Sequence, residues 1–140
     1  MFQMDNVSLQ ADSMDKTIEE MFAQKNWAVV GANGDATKFG NRIYKRLMQK
    51  QHNVFLVNPK RDEIDGHKVY HTILDIAEDI DCISMVVAKN VARAVVEKAI
   101  QKKVKYIWFQ PNTYDMDIVK YAQENGIKVV HGSCVLVKYQ

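Results

Sequence analysis

The chain has 140 residues, 47% of them hydrophobic by type, which suits one domain built around a single core. Its formal net charge is +2 and its basic residues are dispersed, so the composition does not indicate a nucleic-acid partner. Apolar runs stay well short of the ~20 residues that a membrane helix needs. The two cysteines, Cys82 and Cys134, with no signal peptide before them, predict reduced thiols in a cytoplasmic protein.

The N-terminal region is predicted to contain a flexible arm followed by a helix. Residues 1–13 are polar and show no clear period, so the single folded domain is predicted over residues 14–140. Apolar side chains then recur at helical spacing from Met14 to Phe22, which predicts a helix over about 14–25. The elements predicted after it are strand 27–30, helix 41–51, strand 54–57, a short strand 68–70, a short helix 73–77, strand 82–87, helix 91–103, strand 106–110, helix 115–125, strand 127–131 and a short extended piece 135–137.

Five of these segments are short apolar runs without the alternation of a half-exposed strand. Such runs are buried on both faces, which is typical of a parallel sheet covered by helices. The predicted fold is α/β, a Rossmann-like, doubly wound parallel five-stranded sheet in three α/β/α layers. Numbered along the chain, the five strands are predicted in the spatial order 3-2-1-4-5. This order puts a topological switch point between strands one and four, and ligands bind in such crevices, outside the carboxyl ends of the strands.

The segment 27–40 carries the strongest functional signal, because it has the pattern of a strand, a glycine-containing loop and the start of a helix. That arrangement directs unpaired backbone N–H groups and the positive end of a helix dipole at one point, which favours binding of phosphate. The glycines Gly31, Gly34 and Gly40 match neither G-x-G-x-x-G nor the P-loop pattern. A loop whose glycines serve turn geometry alone is therefore the competing interpretation.

The end of the second strand narrows the class of ligand. An NAD-binding domain places Asp or Glu there to bind the ribose hydroxyls, whereas this chain has Asn58, Pro59, Lys60 and Arg61. Lys and Arg attract a ribose phosphate, and Pro59 biases Asn58 toward an extended conformation. These residues favour NADP or coenzyme A, which both carry an extra phosphate on ribose, and the alternative is a solvated basic pair.

Several short motifs also occur in a recognisable order along the chain. They are V-V-G-A-N (29–33), V-N-P-K (57–60), Gly66 with Val69-Tyr70, Asp81, I-W-F-Q (107–110), Gly126 before Val129-Val130, and Cys134. Together they resemble the small stand-alone CoA-binding proteins, which are similar to the CoA-binding Rossmann domain of the succinyl-CoA synthetase alpha subunit. The resemblance covers roughly residues 25–140.

This resemblance implies a protein that binds coenzyme A or an acyl-CoA in a regulatory or carrier role. It implies that the first loop lies under the CoA phosphates and that Lys60 contacts CoA. It also implies that the segment after the third strand lines the adenosine side, and that the segment after the fourth strand borders the pantetheine. The cofactor-binding residues expected on this basis are Gly31, Ala32, Asn33, Asp35, Phe39, Gly40, Asn41, Asn58, Pro59, Lys60, Val87, Ala88, Lys89, Gln110, Pro111 and Cys134.

Catalytic residues are not predicted. The synthetase acts through a phosphorylated histidine outside its CoA-binding domain, so the resemblance does not extend ligase activity to this chain. His131 ends the fifth strand three residues before Cys134, and a thiol near a histidine can be activated. We favour the competing interpretation, in which Cys134 is a small buried hydrophobe. No metal site is predicted, and the acidic loop residues are interpreted as solvated; these are Asp35, Asp62, Glu63 and Asp65.

Two other functions stay open on the sequence alone. One is an NADP-dependent reductase of a small substrate, which would need Tyr44, Tyr114 or His131 as a proton donor beside the nicotinamide. The other is an interaction protein with a vestigial nucleotide pocket, forming a homodimer through Trp108, Phe109 or the N-terminal helix.

Overall fold

The computed structural model describes the backbone of residues 6–140 and the side chains of residues 13–140. Within this part of the chain the strands are β1 Asn26–Val30, β2 Asn53–Val57, β3 Glu63–Ile64, β4 His67–Tyr70, β5 Cys82–Met85, β6 Tyr106–Phe109 and β7 Lys128–Val130. They form one sheet in the order β3-β4-β2-β1-β5-β6-β7. Every neighbouring pair is parallel except the hairpin of β3 and β4.

Helices cover both faces of this sheet. The helices in residues 6–140 are α1 Asn6–Phe22, α2 Phe39–Gln49, α3 Lys89–Gln101, α4 Met116–Glu124 and α5 Val135–Lys138, with a 3₁₀ turn at Ile73–Asp75. Successive residues of β1 belong to opposite cores, as the alternation of a strand requires. Trp27 lies in the core formed with α1, α2 and α5, whereas Ala28 lies in the core formed with α3 and α4.

The predicted fold class is confirmed, whereas the strand count and the strand order are corrected. The parallel strands alone have the order 3-2-1-4-5-6, which is that of a doubly wound sheet. The predicted order is wrong because β5 pairs directly with β1, with Trp27 opposite Cys82 and Val30 opposite Met85. The outer position beside β2 belongs to β4, whose only buried residue is Val69, so that no apolar run marked it as a full strand. The switch point therefore lies between β1 and β5.

The first helix begins earlier than the sequence predicted. It starts at Asn6 rather than near residue 14, so residues 6–13 of the predicted arm are helical. Residues 1–5 lie outside the described residues, and the division into an arm and one domain stays a prediction. Glu20 anchors α1 to the sheet, because its Oε1 accepts hydrogen bonds of 2.9 Å from the hydroxyl of Tyr106 and from Nζ of Lys128.

The last element is a helix and not the predicted extended piece. The backbone N–H groups of Val137 and Lys138 donate to the carbonyl of Cys134, at 3.1 and 3.2 Å, which is a helical pattern. The β-branched composition of V-L-V favours a strand, but only Val135 is buried and the segment satisfies its backbone groups locally. No helix among the described residues is long and apolar enough to cross a membrane.

Candidate ligand-binding site

The first loop leaves β1 at a position that only glycine fits well. Gly31 has φ +100°, and a Cβ added there would lie 3.0 Å from the carbonyl carbon of Val86. The N–H groups of Gly31 and Ala32 both donate to the carbonyl of Val57, at 3.0 and 3.2 Å. These two amides are used to close the loop onto β2, so an anion would have to bind the amides that follow them.

The start of α2 packs directly on this loop through Gly40. A Cβ at Gly40 would lie 2.0 Å from the carbonyl oxygen of Gly31 and 3.3 Å from Cα of Ala32. The N-cap residue Lys38 makes no side-chain hydrogen bond to the helix, and the first turn, which opens with the exposed Phe39, contains no acidic residue. No residue of α2 itself therefore compensates the positive end of the helix beside the loop, which favours an external anion.

Side-chain hydrogen bonds order the rest of the loop. Asn33 Oδ1 accepts from the N–H of Asp35 at 2.8 Å. Asp35 Oδ1 accepts from the hydroxyl and the N–H of Thr37, at 2.7 and 2.9 Å, and these hydrogen bonds lower the pKa of the Asp35 carboxyl. Asp35 thus stays ionised next to the start of α2, where its charge limits how closely a phosphate can approach it.

Asn58 joins the end of β2 to the first loop. Its Nδ2 donates to the carbonyl of Ala32 at 2.9 Å, and its Oδ1 accepts from the N–H of Lys60 at 2.8 Å. Because β1 and β2 are parallel neighbours, with Val30 opposite Val57, Lys60 emerges at the same edge as Gly31. Lys60 is exposed, and its amine has no ion-pair partner among the described residues.

An apolar cavity of about 120 Å³ lies below this edge, on the α3 side of the sheet. Gly31, Pro59 and Val87 stand at its walls, and its interior is aliphatic. Its polar lining comes from Lys98, His71 and Thr72, and Nε2 of His71 lies 2.7 Å from Oδ1 of Asp62. The volume and the mostly aliphatic lining suit a small apolar group or ring with polar atoms at one edge.

The segment after β5 forms the other wall of the crevice. Val86 donates its N–H to the carbonyl of Val30 at 2.8 Å, which holds this segment against the first loop. Val87 is half-buried, whereas Ala88 and Lys89 are exposed where α3 begins. The structure therefore brings together at one crevice the segments 31–41, 58–60 and 87–89, which contain the predicted residues; Ala32 and Asn41 are themselves buried there.

The structure does not bring Gln110, Pro111 and Cys134 to this crevice, because β5 separates β6 from β1. Gln110 is 2% exposed, its Nε2 donates to Oγ of Ser84 at 3.1 Å, and its Oε1 accepts from the N–H of Val135 at 3.2 Å. Pro111 is exposed and Cys134 is half-buried. Contact between these residues and a ligand stays a prediction.

The sequence did not reveal the hydrogen bonds that join Asp65 to Tyr44 and Asn41 next to the first loop. Asp65 Oδ2 accepts hydrogen bonds from the hydroxyl of Tyr44 and from Nδ2 of Asn41, so this carboxylate is paired and not simply solvated. Burial first, and the bond to Asp65 second, raise the pKa of Tyr44 to about 12. The one available signal was Asp65-Gly66, a dipeptide typical of a hairpin turn.

Comparisons with known proteins show the family to which this domain belongs. The family model described as a CoA binding domain matches residues 25–140. An alignment of 128 positions, which covers 84% of this chain, shows 30% identity to acetate–CoA ligase (ADP-forming) I of Archaeoglobus fulgidus and covers 19% of that protein. Among solved structures, a hypothetical protein from Pyrococcus horikoshii OT3 aligns with TM-score 0.84 and 34% identity over 89% of this chain and 88% of its own. A conserved hypothetical protein from Pyrococcus furiosus aligns with TM-score 0.77 and 34% identity, over 82% of this chain and 99% of its own.

The protein is a Rossmann-like α/β domain with a crevice at the switch point of its sheet. The chain belongs to the CoA binding domain family. It spans about a fifth of the length of the ligase that it matches.

Proposed function

We propose that the crevice binds coenzyme A or an acyl-CoA, and that the protein serves as a single-domain CoA-binding module in a regulatory or carrier role. In this proposal the diphosphate lies against residues 33–40 and the start of α2, where an uncapped helix end favours an anion. The adenine enters the apolar cavity between Pro59 and Val87.

The observation that carries the proposal is the position of Lys60. It emerges beside the first loop, at the place where an NAD-binding domain has an acid. An ammonium there favours a ribose phosphate, and coenzyme A carries one. Family membership supports the same class of ligand.

Calorimetry with coenzyme A, dephospho-CoA and NADPH tests this proposal. We expect coenzyme A to bind most tightly and dephospho-CoA about tenfold more weakly, because the lost contact is one charge-assisted hydrogen bond. Tighter binding of NADPH would favour the reductase, which the same basic residue would also serve. Absence of binding by all three would overturn the proposal.

Mass spectrometry of the small molecules released on denaturing freshly purified protein identifies what the crevice holds in cells. A released mass matching an acyl-CoA would name the acyl group. Release of a different nucleotide would contradict the proposed ligand.

A further inference from the structure

Asn41, Tyr44 and Asp65 form a hydrogen-bonded group behind the first loop. Asn41 is 1% exposed, and its Nδ2 donates to the carbonyl of Asn33 at 2.9 Å and to Oδ2 of Asp65 at 3.3 Å. Tyr44 is also 1% exposed, and its hydroxyl donates to the same oxygen of Asp65. The hairpin turn is thereby joined to the loop through one buried amide.

The orientation of the Asn41 amide is determined by its neighbours. Its nitrogen faces two acceptor oxygens, so rotating the amide by 180° would place oxygen against oxygen. The observed orientation leaves Oδ1 of Asn41 buried without a hydrogen-bond partner among the described residues. A buried unpaired acceptor costs free energy. The same orientation of the amide gives the NH₂ group its two hydrogen bonds.

Asp65 reaches this position because of its backbone. It has φ +51° and precedes Gly66 at φ +82°, which is the turn that joins β3 to β4. The hairpin lies next to the loop, since a Cβ at Gly34 would be 3.9 Å from Cγ2 of Ile64. Hydrogen bonding by Tyr44 lowers the pKa of the Asp65 carboxyl, so Asp65 stays an acceptor at neutral pH.

The bond from Asn41 also determines where the next amide points. In a trans peptide the C=O and the following N–H point in opposite directions. The carbonyl of Asn33 is held toward the buried amide of Asn41, so the N–H of Gly34 points away from it, toward the outside of the loop. An outward N–H in this loop is a donor for an anion.

We propose that Asp65 is a positioning residue for the first loop: it orients the amide of Asn41, which holds the Asn33 carbonyl inward and the Gly34 N–H outward toward the ligand diphosphate. The proposal rests on the proposed function of the crevice. Asp65 itself makes no ligand contact in it, because its carboxylate would repel a phosphate.

The test compares Asp65→Gly with Asp65→Asn. Glycine accepts the positive φ and removes the acceptor. Asparagine tolerates that φ and keeps an acceptor oxygen. Glu63→Gln, on the same hairpin and exposed, is the control for a lost negative charge. Each variant is measured for coenzyme A affinity by calorimetry and for the Gly34 amide signal in a ¹H–¹⁵N spectrum of the unliganded protein.

Asp65→Gly is expected to weaken coenzyme A binding about tenfold and to shift or broaden the Gly34 signal, since it removes the acceptor that orients Asn41. Asp65→Asn is expected to show a smaller loss of coenzyme A affinity and a smaller change in the Gly34 signal than Asp65→Gly. Asp65→Gly protein with wild-type affinity would overturn the positioning role while leaving the proposed function intact. If the wild type itself does not bind, the Gly34 signal decides: an unchanged signal in Asp65→Gly overturns the role, and a shifted one supports it.

Discussion

The carboxyl edge of the sheet has two halves that differ in how their polar groups are satisfied. The first-loop half consists of residues 31–41, 58–61 and 87–89, and the β6–β7 half consists of residues 110–113 and 131–135. In the β6–β7 half two backbone carbonyls accept side-chain hydrogen bonds: that of Ser133 accepts from Nε1 of Trp108 in β6 at 2.9 Å, and that of Gln110 accepts from the hydroxyl of Thr113 at 2.7 Å.

The first-loop half contains donors and charges that lack such partners. Lys60 is exposed without an ion pair among the described residues, and α2 begins without a side-chain cap. Groups that a fold leaves unpaired can be paired by a ligand, whereas groups already bonded would have to break a bond first. The proposed ligand contacts are therefore placed in the first-loop half, whereas the bonded groups of the β6–β7 half are expected to stabilise the fold.

The largest effect is expected from Gly40→Ala. The new Cβ would lie 2.0 Å from the carbonyl oxygen of Gly31, so α2 must move away from the loop. We expect a loss of about 2–3 kcal/mol in the free energy of unfolding, from urea titration, together with loss of coenzyme A binding. Gly34→Ala is the matched control, because its nearest atom would be 3.9 Å away. Equal stability of the two variants would show that the close approach at Gly40 is unimportant.

Lys60→Ala tests which phosphate the first-loop half binds. Affinity for coenzyme A should fall about tenfold, whereas affinity for dephospho-CoA should change little, because the latter lacks the ribose phosphate. Lys120→Ala, which removes an exposed lysine from α4, controls for the change in net charge. Equal losses for both ligands would place Lys60 at the diphosphate, and unchanged affinity for both would place it away from the ligand.

Gln110→Leu tests the β6–β7 half. The substitution removes the bonds to Ser84 and Val135 and leaves the N–H of Val135 without its acceptor. We expect the free energy of unfolding to fall by about 1–3 kcal/mol, with coenzyme A affinity unchanged. A selective loss of affinity at wild-type stability would instead support the ligand contact that the sequence predicted for Gln110.

The smallest effect concerns pH and the C-terminal segment. Nδ1 of His52 lies 2.7 Å from the carbonyl of Gln24, so it must donate, and the neutral Nε2 then accepts from the hydroxyl of Tyr139 at 2.7 Å. Burial lowers the pKa of His52. The unfolded chain therefore binds the proton first, and stability falls as pH drops below about 6.5.

Urea titration at pH 7.5 and 5.5 measures this contribution. His52→Gln should lose less stability between the two pH values than the wild type does. Burial also lowers the pKa of His131. His131→Gln should therefore also lose less stability between the two pH values than the wild type does. A pH dependence that is identical in the wild type and in both variants would contradict the assignment.

Particular residues show what the sequence could and could not reveal. Gly31, Asn58 and Lys60 were predicted at one edge, and they meet there because parallel strands end on the same side. The strand order was missed because β4 has a single buried residue, Val69, and its pairing with β2 leaves little trace in local composition. Asp65 was set aside as a loop acid, since nothing local shows that a residue 24 positions away will bond to it.

The alternation of strands and helices, the fold class and the gathering of glycines and cations at one sheet edge follow from the sequence, because apolar runs, glycines and charges at strand ends are local properties. The neighbours of each strand, the amides that stay unpaired and the carboxylate that bonds to Asn41 become visible only in the folded structure. Those outcomes depend on contacts between residues far apart in the chain. The bond from Asn41 to the Asn33 carbonyl, backed by Asp65, is one such contact.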